Sequence, residues 1–157
     1  MLRKGLLSLL ALTVVSSSFA PLPAQANSRK CPKVTTSQIE ALFDQWNQSL
    51  QTGDPNKVAD NYAKDAVLLP TVSNQVRNTR EKIVDYFVGF LQNKPVGVIN
   101  EKNVRIYCDK AINSGIYTFT LTNNGQTQQV PARYTFVYRK IGDKWLIVDH
   151  HSSKLPE

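Results

Sequence analysis

Residues 142–157 read GDKWLIVDHHSSKLPE, and the fold follows from this stretch. Gly142-Asp143 is a turn signal, and the apolar run after it predicts a strand over 144–153. Working back to Pro95, three more strand-like segments are separated by Asp109-Lys110 and by Asn123-Asn124-Gly125. These segments are residues 96–109, 111–122 and 128–140. Four long, consecutive antiparallel strands are therefore expected, in a sheet that must twist and curl.

The closing strand carries an acid, two imidazoles and two hydroxyls in a row, Asp149 to Ser153, which resembles the content of a hydrolase site. Neighbouring strand residues point to opposite faces, so Asp149 and His151 share one face and His150 and Ser152 share the other. A Ser-His-Asp relay needs three side chains within hydrogen-bond reach of one another, and five consecutive strand residues cannot converge in this way. The sequence also has no G-x-S-x-G element. We therefore do not expect a hydrolytic triad.

Three helical segments precede the long strands. The pattern Ser37-Gln38-Ile39-Glu40 predicts a capping box for the first helix, and Asp54-Pro55 predicts a short second helix that runs to about Tyr62. Asn78 or Thr79 caps the third helix, which stops at Lys94-Pro95. A short buried strand over 65–70 separates the second and third helices. Apolar side chains recur at helical spacing in the first helix (Ile39, Leu42, Phe43, Trp46, Leu50) and in the third (Ile83, Tyr86, Phe87, Phe90, Leu91).

This order of elements predicts a single α+β domain in which a curved antiparallel sheet wraps helices to form a cone. Folds of this shape commonly keep a pocket between the sheet and the helices.

The first 26 residues predict a signal peptide. Arg3 and Lys4 give a basic start, an apolar run follows, and Ala24-Gln25-Ala26 has the small-x-small cleavage pattern. We expect an exported protein, periplasmic or secreted, with a lead at 27–34 and the domain at 35–157. Removal of the two basic residues lowers the net charge from +7 to +5. The remaining charges are scattered, so we expect neither a nucleic-acid partner nor, after cleavage, a membrane partner.

The chain has two cysteines, Cys31 and Cys108. In an oxidising compartment they can form a disulfide, and the alternative is two separate thiols. Their spacing excludes a C-x-x-C redox motif.

Five stretches carry a resemblance to a known family: 54–70 (DPNKVADNYAKDAVLLP), 80–95 (REKIVDYFVGFLQNKP), 111–122 (AINSGIYTFTLT), 132–138 (ARYTFVY) and 142–157. With the order of elements, they resemble the nuclear-transport-factor-2-like superfamily. More narrowly, they resemble the association domain of calcium/calmodulin-dependent protein kinase II and its bacterial SnoaL-like, steroid-isomerase-related relatives. The resemblance implies the cone fold and self-association into dimers or rings through the outer sheet face. It does not imply kinase activity, because the chain contains no kinase domain.

The resemblance also implies a pocket for small carboxylates that is lined by arginines. Arg133 lies near the place of one of these arginines, while Tyr117, Phe119 and Thr120 stand where another is expected. His151 and Ser153 match a histidine and a serine of the family's closing strand.

The strand over 128–140 raises the question of which face looks inward. Arg133, Thr135, Val137 and Arg139 share one face, and Ala132, Tyr134, Phe136 and Tyr138 share the other. The aromatic face packs against helices or against a partner chain, and we expect it to suit self-association. A mid-strand arginine inside a closed cone needs an anion. Arg133 is therefore a candidate carboxylate contact, with an ion pair to Glu81, Asp85 or Asp149, or simple exposure, as the alternatives.

Candidate ligand contacts are Arg133, His150, His151, Tyr62 and Trp46, although Tyr62 and Trp46 also fit the apolar core. Asp149 and His151 are candidates for a catalytic acid–base pair. The base of related steroid isomerases falls near Leu69, which cannot transfer a proton. A metal site at Asp149 and His151 would need Cys108 as a third ligand. We expect neither a metal nor a cofactor.

Three functions remain open at this point. The first is a non-catalytic, self-associating domain that holds a small polar or anionic ligand in the cone. The second is an isomerase or dehydratase that uses Asp149 and His151, and the third is an adaptor for another exported protein.

Overall fold

A computed structural model describes Cys31 and residues 33–71 and 73–156. The signal peptide and cleavage site predicted for 1–26, and most of the lead at 27–34, lie outside the described residues and stay predictions. Among the residues that are described, no helix is both long enough and apolar enough to cross a membrane.

Helix α1 covers Thr36–Gln51 and begins earlier than the sequence indicated. Thr35, and not Ser37, is the N-cap: its hydroxyl accepts from the Gln38 backbone, and the Gln38 side chain accepts from the Thr35 backbone. Two overlapping frames of Ser/Thr followed by Glu/Gln are present, and the chain uses the first. The predicted apolar stripe is confirmed, with Ile39, Phe43, Trp46 and Leu50 buried.

Helix α2 covers Pro55–Ala59 and is capped by Asp54. It ends sooner than predicted, because Tyr62 already pairs with Ile147 of the last strand. Helix α3 covers Arg80–Phe90, with Thr79 as its cap, and continues as a 3₁₀ turn over Leu91–Asn93.

Five strands form one sheet. They are β1 (Tyr62–Leu69), β2 (Val96–Ile106), β3 (Lys110–Asn123), β4 (Gln126–Ile141) and β5 (Lys144–Lys154). Their order is β1-β5-β4-β3-β2. The pairs β2–β3, β3–β4 and β4–β5 are antiparallel, as predicted, and β1 is added to β5 in parallel. The predicted α+β fold with a curved sheet is confirmed.

The curvature has a local cause. The register shifts between Ile99 and Glu101 in β2 and between Ile147 and Asp149 in β5, and such bulges bend a strand. Opposite the first bulge stands Gly115, where a β-carbon would lie 1.9 Å from the carbonyl oxygen of Glu101. Only glycine therefore fits at position 115, where the bulged backbone of β2 approaches β3 closely.

The inner face of the sheet packs on α1 and α3 and forms the core. On β3 and β4, and on β5 from Asp149 onward, the buried residues alternate with exposed or half-buried ones, so each strand has one inner and one outer face. Aromatic rings dominate the interior. The ring of Trp46, for example, makes edge-on contacts with Phe87, Phe119 and Phe136.

Cys31 and Cys108 are bonded in this structure. The bond ties the segment before α1 to the turn between β2 and β3, across 77 positions of sequence. Closing so long a loop removes conformational freedom mainly from the unfolded chain.

We predict that replacing both cysteines by serine lowers the free energy of unfolding by up to about 4 kcal/mol, because the unfolded chain regains the freedom that the bond removes. Urea unfolding of the wild type and of the double variant measures the difference. A reductant should destabilise the wild type by the same amount and leave the double variant unchanged. Equal unfolding midpoints for the oxidised wild type and the double variant would contradict a stabilising bond.

Candidate functional site

A cavity of about 110 Å³ lies between α3, the end of β1 and the inner face of the sheet. Trp46, Phe87 and His150 lie at its buried part, whereas half-buried Thr71 and Phe90 mark its mouth. Most of the lining is aromatic or aliphatic, and none of the lining residues is Asp, Glu, Lys or Arg. The cavity is therefore apolar with a few polar atoms.

A chain of two hydrogen bonds holds His150 in place. The indole Nε1 of Trp46 donates to the hydroxyl of Tyr62 at 3.1 Å, and that hydroxyl lies 2.8 Å from Nδ1 of His150. An indole N–H can only donate, so it uses a lone pair of the Tyr62 oxygen. The Tyr62 hydrogen is then free to donate to Nδ1. This pattern assigns the proton of the imidazole to Nε2.

The surroundings of His150 keep it uncharged. Its ring stacks on Phe136 at 4.0 Å and meets the edge of Trp46 at 5.3 Å, and only 4% of the residue is exposed. Burial, with a smaller contribution from the charge of His151, lowers the pKa of His150 to about 3. Burial also raises the pKa of Tyr62 well above its ordinary value. Both groups are neutral at physiological pH.

A second polar cluster lies beside His150 on the same face. Tyr117 donates to Oγ of Ser152 at 2.5 Å, and Thr71 contacts the same oxygen. Ser152 is buried, and burial raises the pKa of Tyr117 above its ordinary value. Our sequence reasoning missed this cluster. The available signal was that Ser152 stands two residues from His150 and so shares its face.

Of the five predicted ligand contacts, the structure brings three to the cavity region. Trp46 and His150 line the cavity, and Tyr62 lies behind His150 and orients it. Both Trp46 and Tyr62 are also core residues, so the two interpretations of these residues are compatible.

Arg133 and His151 lie on the outer face, and the expectation that they reach the cavity is wrong. Both are exposed, and Arg133 is paired with Ser153 and Ile116, which also face outward. The physical reason is strand alternation: once Tyr134 enters the core, Arg133 must point away from it. Within the described chain Arg133 makes no salt bridge, and Asp85, one of its suggested partners, binds Arg77.

Asp149 is exposed on the outer face as well, so it and His151 cannot exchange a proton inside the cavity. They do not form a metal site either, because Cys108 is bonded to Cys31. No group of three or more His, Cys, Asp or Glu side chains that could hold a metal is found in the part of the chain that is described.

The aromatic side chains of β4 point inward. Tyr134, Phe136 and Tyr138 are each at most 2% exposed, so the expectation that they form a self-association surface is wrong. They pack under α1, where Phe43 contacts Tyr134 and Phe136.

Comparison with known proteins agrees with this architecture. The sequence model of the calcium/calmodulin dependent protein kinase II association domain matches residues 35–156. The chain belongs to this family.

A solved structure from Xanthomonas campestris, described as a calcium/calmodulin dependent protein kinase II association domain, is 56% identical. The match covers 82% of this chain and 94% of that one, with a TM-score of 0.76. None of the curated proteins matches the chain.

More distant structures share the fold alone. An NTF2-like protein with a cystatin-like fold from Novosphingobium aromaticivorans is 13% identical, with a TM-score of 0.65, over 76% of this chain and 80% of that one. A ketosteroid isomerase-like protein from Erwinia carotovora atroseptica is 19% identical, with a TM-score of 0.63, over 76% and 95%. The predicted family is thus confirmed, and the distant structures confirm the predicted fold.

We predict that His150 makes this domain less stable in acid. The unfolded chain takes up a proton on His150 below about pH 6.5, whereas the folded protein does not until about pH 3. Unfolding is therefore favoured as the pH falls, with a limiting slope of about 1.4 kcal/mol per pH unit.

Urea unfolding at pH 7, 6, 5 and 4 measures this slope in the wild type and in His150→Phe. The wild type should lose about 1.4 kcal/mol more per unit than the variant between pH 6 and 4. Parallel curves for the two proteins would mean that His150 is not held neutral by the fold.

Proposed function

We propose that this protein is an exported, non-catalytic domain that self-associates through the outer face of its sheet and holds a small molecule in its cavity. Membership of the association-domain family supports self-association. The cavity inside the cone supports ligand binding, because a mainly apolar cavity with a few convergent polar groups is the usual form of a small-molecule site.

The observation that carries self-association is an apolar patch on the outer face, which we call the outer patch. It consists of Val98, Ile112, Ile116 and Val137. The first is 57% exposed and the other three are half-buried. Ile112 and Val137 are paired across β3 and β4, and Val98 lies diagonally from Ile116 across β2 and β3. The patch therefore has two apolar parts, with the Ser114–Thr135 pair between them. Burying such a surface against a second copy would remove apolar area from water.

The charges beside the patch suit a two-fold interface. Glu101 and Arg133 flank Ile116 on either side, in one row across β2, β3 and β4. In a two-fold contact the same row of a second copy can run in the opposite direction, which sets Glu101 against Arg133 of the other copy. This arrangement gives Arg133 a role on the outer face that it does not have in the cavity.

Export is supported by the signal-like sequence at 1–26 and by the bond between Cys31 and Cys108. Disulfides persist in secreted and periplasmic proteins and are rare in the reducing cytosol.

A non-catalytic role is supported by the state of His150. Its Nδ1 accepts from Tyr62 and its low pKa makes it a weak base at neutral pH. The alternative of an isomerase or dehydratase loses its acid–base pair, because Asp149 and His151 lie on the outer face.

We predict that Ile116→Glu converts the protein from an oligomer to a monomer, because two copies of the new carboxylate would be buried near each other in the interface. Sedimentation velocity between about 5 and 100 μM measures the assembly state. The matched control is Val88→Glu, which changes an apolar residue of α3 that is 51% exposed and lies outside the outer patch.

The control should keep the assembly state of the wild type, and both variants should keep its circular dichroism. A wild type that is monomeric at every concentration would contradict self-association. If the Ile116→Glu variant stays oligomeric, the interface between copies lies on another surface.

A further inference from the structure

The hydrogen-bond chain at His150 leaves one buried donor without a partner. Trp46 donates to Tyr62 and Tyr62 donates to Nδ1, which places the remaining ring proton on Nε2. The opposite tautomer would leave both the Tyr62 hydrogen and Nε2 without partners, so it is less favourable. Nε2 of His150 has no hydrogen-bond partner among the described residues.

A buried N–H group without a hydrogen-bond partner, such as Nε2–H of His150, is unusual in a folded protein. Nearly all buried polar groups in folded proteins are hydrogen-bonded, and leaving one unpaired is unfavourable. The ring of His150 lines the cavity, so a molecule in the cavity can supply the missing acceptor.

The hydroxyl cluster offers a second donor. Tyr117, Ser152 and Thr71 have three hydroxyl hydrogens and make two hydrogen bonds among themselves. Because Tyr117 donates to Ser152, one hydrogen of Ser152 or Thr71 is left over. Ser152 and Thr71 both line the cavity, so this donor is available there whichever of the two keeps the hydrogen.

The lining also limits the charge and the size of the occupant. A carboxylate would lose its hydration without gaining a cation, since no Arg or Lys lines the cavity, and an ammonium group would find no carboxylate. An apolar cavity of about 150 Å³ is known to hold benzene, so a cavity of about 110 Å³ that is open at one end suits a molecule about the size of one six-membered ring.

We propose that the cavity selects a neutral, mainly apolar molecule of about one ring whose carbonyl oxygen accepts a hydrogen bond from Nε2 of His150. This inference rests on the proposed binding role of the cavity and replaces the anionic ligand suggested by the sequence. His150 is then a binding residue, and Tyr62 and Trp46 are positioning residues that keep its Nδ1 engaged and leave Nε2–H for the ligand.

Three probes of similar shape test the proposal: cyclohexanone, methylenecyclohexane, which lacks the acceptor, and cyclohexanecarboxylate, which carries a charge. Each is titrated into the full-length mature protein while the Nε2–H signal of His150 and the backbone amides around the cavity are followed by NMR. We expect cyclohexanone to bind about tenfold more tightly than methylenecyclohexane, with a shift of the Nε2–H signal, and the carboxylate to bind most weakly.

Two matched variants separate the donor from the cavity. His150→Phe keeps a planar ring but removes the donor, and it should abolish or reverse the preference for the ketone over the hydrocarbon. His151→Phe makes the same change one residue away on the outer face and should keep the preference. If His150→Phe does not fold, the probe pair on the wild type still decides the question.

The outcomes distinguish this inference from the proposed function. Equal or tighter binding of methylenecyclohexane to the wild type would overturn the donor role of His150 while leaving a binding cavity. Tightest binding of the carboxylate would overturn neutrality. No binding of any probe would overturn both this inference and the binding role of the cavity, whereas self-association is tested separately.

Discussion

The chain of hydrogen bonds from Trp46 through Tyr62 to His150 is the constraint on which the cone depends. It joins α1, β1 and β5, three elements that are distant in sequence, through polar atoms buried among aromatic rings. A buried network of this kind is stable only when each internal member is satisfied, and here the donors and acceptors match along the chain. It also fixes the chemistry of the cavity, since a histidine held in this way is neutral and offers a donor.

Strand alternation gives the two faces of the sheet different surroundings and different roles. His150 and Tyr134 enter the interior, and their neighbours His151 and Arg133 face outward. The inner face therefore builds a neutral cavity, while the outer face combines apolar residues with Glu101 and Arg133 in a form that suits contact between copies. The carboxylate-binding pocket implied by the family resemblance does not arise here, because Arg133 lies on the outer face of the sheet.

Much of the architecture was predictable because it rests on local patterns. The apolar stripes of α1 and α3, the turn signals and the pairing of residues by face along β4 and β5 all follow from periodicity. The absolute direction of each face does not, because alternation says which side chains lie together and not which set meets the helices. The aromatic residues of β4 could have indicated the inward face, because burying three rings is far more favourable than burying the face that carries Arg133. These residues are Tyr134, Phe136 and Tyr138. The start of β1 at Tyr62 could not be predicted, because it depends on a parallel pairing with a strand more than eighty residues away.

The position of the ring proton on His150 shows whether the hydrogen-bond chain runs from Trp46 through Tyr62 to Nδ1. Long-range ¹H–¹⁵N NMR of the histidine side chains, with His150 assigned by its loss in His150→Phe, reports both ring nitrogens. We expect a proton on Nε2, a bare Nδ1 and no change between pH 5 and 8. A proton on Nδ1, or an imidazolium in this range, would contradict the hydrogen-bond chain and with it the neutral cavity.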